Sequence, residues 1–359
     1  MTNSFSYNPE MIKLGRESRG LTQHELCDRL NMAQGTISKL ENADYLISEE
    51  LVEKISDVLD YPSTFFKIKA QIYPTSLIYY RRKVKVQGKV LTQSEAKMNV
   101  VRIALEKLIS EIELPEINLL DWDIEKNGSP ENAALFLREK WRVPKGRIED
   151  LTKLVEDNGI IVIHFNFGTD KMEGLSLFTN QNQPVIYLNS NMPSDRLRFT
   201  LAHELGHLVM HFGKLFDNSR DLEKEAFRFA SEFLIPTIDF KKGIEKIDLL
   251  TLANMKRYWR VSMQSMIYKA RHNNIITANQ EKYLWSQLSA NGYNKTEPLE
   301  LSFPKEIPTL VKEIIELHKS ELGYSIEKLA KILSLNFDDF FTYFNCSNNI
   351  PKLKIIRNY

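Results

Sequence analysis

Phe199-Thr200-Leu201-Ala202-His203-Glu204-Leu205-Gly206-His207 sets two histidines four residues apart in a run that reads as a helix. At about 3.6 residues per turn the two stand one above the other on one face, so both imidazoles can reach a single cation. Glu204 lies between them and can act as a base on a water at that cation. This is the spacing with which a helix holds zinc next to a reactive carboxylate.

Working upstream, three short runs read as strands and lead into this helix: Ile160–Phe165, Gly174–Phe178 and Pro184–Asn189, the last after the turn-prone Asn180-Gln181-Asn182-Gln183. An extended peptide substrate is expected to add a strand to an edge formed by Val185–Leu188, which would fix its carbonyl beside the cation. Downstream, a helix from about Asp221 to Ile235 stops before Pro236.

A catalytic zinc needs a third protein ligand. His211 continues the four-residue spacing, but eight residues of straight helix put it about 12 Å from His203, too far to share one ion; it is expected to pack beside the site. On the following helix, Glu223 falls on the stripe of Ala226, Phe227, Ala230 and Leu234. A carboxylate on a buried stripe is costly unless it is paired or binds a metal, which favours Glu223 as the third ligand. The alternative places it in an exposed first turn, favoured only by the helix dipole. Glu225 and Glu232 fall off the stripe and read as solvated acids. Tyr268 and His272 are candidates, by type and position alone, for stabilising an oxyanion.

The first part of the chain has a different grammar. Pro9 to about Phe66 reads as five short helices, with Thr22 and Glu25 forming a capping box, Asn31-Met32-Ala33 a turn, and a helix over about Gln34–Asn42 that buries Ile37 and Leu40. Helix, short turn, helix is an arrangement that places its second helix in the DNA major groove. This unit carries more acid than base, much of it after that second helix. The basic Arg81–Lys89 stretch could add phosphate contacts, and reads otherwise as a solvated face. The aromatic cluster of Phe337, Phe340, Phe341, Tyr343 and Phe344 is expected to be core in a C-terminal helical bundle.

Composition sets bounds on these readings. The 359 residues exceed one typical domain, and 48 basic against 47 acidic side chains leave the global charge silent about nucleic acid. The two cysteines, Cys27 and Cys346, lie far apart and make neither a disulfide framework nor a CxxC site. With no secretory signal and no long apolar segment, a cytoplasmic protein without membrane contact is expected.

The run from Arg196 to Leu208, then Glu223-x-x-Ala226 and Phe229–Pro236, resembles the ImmA/IrrE family of metallopeptidases. The likeness continues through Trp259–Gln264, Tyr268-Lys269-Ala270 and Gly292–Pro298, and so covers roughly residues 140–300. It implies a Zn2+ site with His203, His207 and Glu223 as ligands and Glu204 as catalytic base. The chain departs from the family at Phe227, where Asn or Asp is usual. Residues 9–66 resemble the Cro/C1 (XRE) helix-turn-helix family in Leu21-Thr22-Gln23-x-Glu25-Leu26, Gln34–Asn42 and Val58-Leu59-x-Tyr61-Pro62. That likeness implies base contacts from Gln34, Thr36, Ser38 and Lys39, and a phosphate contact from Gln23.

Together these give an α+β, predominantly helical chain. Its expected divisions are a helix-turn-helix domain over 1–68, a basic helical linker over 69–140, a zincin-like peptidase domain with about three strands over 141–245, a helical region over 246–300 and a C-terminal helical region over 301–359. The function they imply is a transcriptional regulator that binds double-stranded operator DNA, possible as a homodimer because such operators are two-fold. Fused to it would be a zinc endopeptidase cleaving a repressor protein. The alternative is an autorepressor or antitoxin-like regulator whose peptidase domain serves as sensor or scaffold.

Overall fold

The computed structural model describes residues 7–43, 47–73, 88–214, 220–242, 246–294 and 296–344, with Gln34 and Leu299 described by backbone alone. Among these, the residues up to 73 together with 88–113 and 311–344 form one unit, and residues 114–310 form a second.

The first unit begins with α1 (Pro9–Ser18), α2 (Gln23–Leu30), α3 (Gln34–Glu41) and α4 (Glu49–Leu59), followed by a 3-10 turn at Ser63–Lys67. The capping box of Thr22 and Glu25 is present, and Asn31 closes α2 in the left-handed conformation that a sharp turn into α3 requires. Met11, Ile12, Leu26, Ile37, Leu40, Val52, Ile55, Phe65 and Phe66 fill the core. A buried ion pair crosses it: Arg16 donates to Glu41 through Nε at 2.5 Å and Nη2 at 3.0 Å, both side chains being buried. The long helix α5 (Gly88–Ile109) lies along α1.

The second unit carries α6 (Pro130–Lys140), α7 (Leu151–Asp157) and the strands β1 (Ile161–Phe165), β2 (Gly174–Phe178) and β3 (Pro184–Asn189). Strand order is β1-β3-β2, with β1 parallel and β2 antiparallel to β3. Val185–Leu188 is therefore the centre of the sheet and not the edge expected of it. Both its sides are paired, and all six residues of β3 are buried. The unbroken apolar run Val185-Ile186-Tyr187-Leu188 is the signature of a strand covered on both faces.

Next come α8 (Ser194–Met210) and α9 (Leu222–Leu234), then α10 (Leu249–Trp259), α11 (Met263–His272) and α12 (Ala278–Ala290). A buried Lys256 on α10 bridges Asp195, in the first turn of α8, and Glu297, each at 2.5 Å. Glu297 also accepts from the Met263 amide at the head of α11. Gln264 reaches the carbonyls of Tyr293 and Asn294. The stretches Trp259–Gln264 and Gly292–Pro298 thus serve to brace α8.

The chain closes with α13 (Leu310–Leu322), α14 (Ile326–Ile332) and α15 (Phe337–Phe344), which belong to the first unit. Arg19 forks onto Asp339 at 2.9 and 2.6 Å and stacks over Tyr61, while Asn336 donates to the Asp60 carbonyl. Phe340, Tyr343 and Phe344 are buried, as expected of the C-terminal aromatic cluster, whereas Phe337 and Phe341 are only half-buried. No helix among the described residues is long and apolar enough to cross a membrane.

Candidate metal centre

The centre is made by two helices that approach closely. At Gly206, inside the His-Glu-x-x-His run, a Cβ would stand 2.9 Å from Cδ1 and 3.3 Å from Cβ of Phe229, a fully buried ring on α9. The missing methyl lets α9 lie against α8 and brings its first turn beside the histidines. His203 Nε2 is 3.3 Å from Glu223 Oε2, and His207 Nε2 is 3.4 Å from Glu223 Oε1. The two Nε2 atoms are 3.1 Å apart. One ligand atom from each of the three residues lies within 4.8 Å of the others.

Two imidazole nitrogens and one carboxylate oxygen, converging in this way, are a donor set of a catalytic zinc. The residues therefore fit the metal. Glu223 is not the buried carboxylate that its helical stripe suggested: its side chain is 36% exposed. Its candidacy rests on convergence, because the core side of α9 runs through Ala226, Phe229, Ala230, Phe233 and Leu234. His211 stands outside the cluster. Its Nδ1 meets His207 Nδ1 at 2.9 Å, on the side of the ring away from the other ligands.

Glu204, on the same helix, packs against β2. It is buried, and Ser176 Oγ donates to its Oε2 at 3.0 Å. At Gly174, also on β2, a Cβ would fall 2.7 Å from Thr200 Cγ2 and 3.2 Å from Glu204 Oε1. Glycine there allows the strand to pass directly over the catalytic-type carboxylate. Ser176, Gly174 and Gly206 were not singled out by sequence reasoning, although Gly206 lies within the quoted run.

Two acids read as solvated are held instead. Glu232 is buried, pairs with Lys269 at 2.7 Å and accepts from Thr237. Glu225 accepts from His211 Nε2 at 2.9 Å and takes both nitrogens of the Arg220 fork at 3.0 and 2.7 Å. Burial pushes the Glu225 carboxyl up, but the hydrogen bonds from Arg220 and His211 outweigh it and hold it below the usual range. Burial, and then the neighbouring His207, pull His211 down to about 4 against the pull of Glu225. A helical wheel drawn on α9 alone sees none of these partners.

Phe227 is half-buried, with its ring 4.9 Å from that of Phe199 and 6.1 Å from that of Tyr268, which in turn lies 5.1 Å from Trp285. Phe199 is one turn before His203 and Phe227 one turn after Glu223, so an aromatic row flanks the ligand cluster. Tyr268 lies on that row, half exposed. His272 is turned to Glu131 at 3.3 Å, a carboxylate already held by Arg228.

In the first unit Lys39 is exposed on α3, with Thr36 and Ser38 half-buried on the same helix. Gln34 heads α3, but its side chain lies outside the described residues. Gln23 donates to Glu41 Oε2 at 2.8 Å and so joins the Arg16–Glu41 pair. Arg81–Gln87 of the basic stretch, and Cys346, lie outside the described residues; Lys89 pairs with Glu25 at 3.0 Å, and Cys27 is buried.

Residues 155–271 match the peptidase M78 family, described as the IrrE N-terminal-like domain, and residues 12–66 match a helix-turn-helix family. Both bear out the resemblance drawn from the residues: the chain joins an XRE-type helix-turn-helix domain to a metallopeptidase-type domain of the IrrE kind. Comparison with the curated proteins gives no match.

Proposed function

We propose that the chain is a DNA-binding regulator whose second unit is a zinc-dependent endopeptidase acting on a repressor or similar regulatory protein. The observation that carries it is the convergence of His203, His207 and Glu223 within 4.8 Å, with Glu204 next to them under β2. His203, His207 and Glu223 would hold Zn2+, which when bound supplies a Lewis acid and a water made acidic near neutral pH.

The chain's own residues account for the rest. Glu204 takes a proton from the attacking water and returns it to the departing amine. Ser176 donates to Glu204 Oε2 and so holds the carboxylate against β2. Among the described residues β2 pairs with β3 alone, so its outer edge can receive an extended peptide, and Gly174 keeps that edge close to Glu204. In the first unit Gln34, Thr36, Ser38 and Lys39 would read bases and Gln23, oriented by Glu41, would meet a phosphate. A DNA reader on the same chain holds the peptidase near operator-bound substrate and raises its effective concentration.

Incubation of the purified full-length chain with the product of any repressor gene found next to its own is the direct test. Zinc-dependent cleavage that vanishes in Glu204→Gln, with the melting temperature unchanged, is the expected result. A chain that takes up zinc and binds operator DNA but whose regulatory output is identical in wild type and Glu204→Gln would replace this reading with that of a sensor or scaffold.

A further inference from the structure

We propose that His211 and Glu225, anchored by Arg220, form a hydrogen-bond relay that fixes the tautomer and ring orientation of His207, and so make this side of the metal site before any metal arrives. The proposal rests on the metal reading above and assigns positioning roles to residues outside the ligand set.

Three contacts in line carry it. Arg220 grips Glu225 with two nitrogens, His211 Nε2 lies 2.9 Å from Glu225 Oε2, and His211 Nδ1 lies 2.9 Å from His207 Nδ1. Each of the two histidine contacts holds one hydrogen, and the direction of both follows from the carboxylate end. A carboxylate gripped by a guanidinium has no proton to give, so the hydrogen of that contact sits on His211 Nε2. A neutral ring carries one N–H, which leaves His211 Nδ1 as an acceptor. The hydrogen of the next contact must then sit on His207 Nδ1. His207 Nε2 is left with its lone pair turned toward Glu223 and His203, the form in which imidazole binds a metal.

Metal-binding histidines commonly donate their other N–H to a carboxylate or carbonyl. Here α8 supplies a second histidine one turn on, and the carboxylate stands one residue further along the relay. The arrangement also explains how the site manages with Phe227. A polar residue there could have oriented a histidine; here orientation comes from the opposite side of His207.

Two measurements on the full-length protein test this. In the metal-free wild type, nitrogen-15 NMR of the histidine rings should show the proton of His207 on Nδ1 and that of His211 on Nε2. By chelator competition, His211→Leu should lower zinc affinity about 10- to 100-fold, the usual effect of losing such a partner. His211→Gln, whose carbonyl can accept from His207 while its amide donates to Glu225, should restore most of that loss. A His207 proton on Nε2, or a folded His211→Leu chain that binds zinc as wild type does, overturns the proposal. The NMR result needs no variant, so a misfolded substitution does not shield it. A wild type that takes up no zinc overturns the metal reading and this inference together; normal uptake with an indifferent His211→Leu overturns the relay alone.

Discussion

At the scale of single residues, the site shows which side-chain roles a sequence can disclose. His203, Glu204 and His207 are legible because one helix fixes their spacing. Glu225 and Glu232 are misread because what holds them, Arg220 and His211 for one and Lys269 for the other, comes from outside the wheel of α9. His164 on β1 is a further case: burial first, then the charge of Lys305, pull its pKa down to about 4. The folded state thus favours the neutral ring, and protonation favours unfolding. The resulting stability is complete above the unfolded pKa of about 6.5 and is lost as pH falls through about 4. Denaturant melts at a series of pH values should show this loss, and in His164→Gln the slope between those limits should shrink by the contribution of one proton. An unchanged slope would count against it. Phe227 can be tested directly, since Phe227→Asn leaves the relay untouched. It should retain zinc affinity while altering preference among peptides with large apolar side chains, read by cleavage of a peptide library.

At the scale of elements, packing decides more than propensity does. The strands and helices were legible from apolar runs and caps, but the order β1-β3-β2 was not, because it depends on a parallel pairing that skips a strand. Neither was the closeness of α8 to α9, which depends on one absent methyl. Gly206→Ala would drive a Cβ to within 2.9 Å of a buried ring and force the helices apart. We expect a loss of about 1–3 kcal/mol of stability from overpacking, measured by denaturant unfolding. Zinc affinity should fall with it, although no ligand has changed. In the first unit, Glu41→Leu would strip the buried Arg16 guanidinium of its two shortest carboxylate contacts and leave it only Glu17 at 3.3 Å. Removing one partner of a buried pair costs about 3–5 kcal/mol; the same unfolding measurement restricted to α1–α4, by hydrogen exchange, checks it.

At the scale of the whole molecule, the chain leaves its first unit after residue 113, builds the second over 114–310, and then returns to finish the first. Sequence reading could identify the C-terminal segment as helical but not where it packs, since Arg19 and Asp339 are 320 residues apart and no local pattern links them. A chain ending before α13 should therefore lose hydrogen-exchange protection in α1–α4 while retaining zinc binding. Protection unchanged by the truncation would show that α13–α15 are dispensable. The same connectivity bears on synthesis. At roughly 5–20 residues per second, Asp339 leaves the ribosome on the order of half a minute after Arg19. Throughout that interval the nascent DNA reader lacks its closing contact, and translation that stalls within the peptidase-type unit never supplies it. The first unit is thus completed only in chains whose peptidase-type unit has already been made.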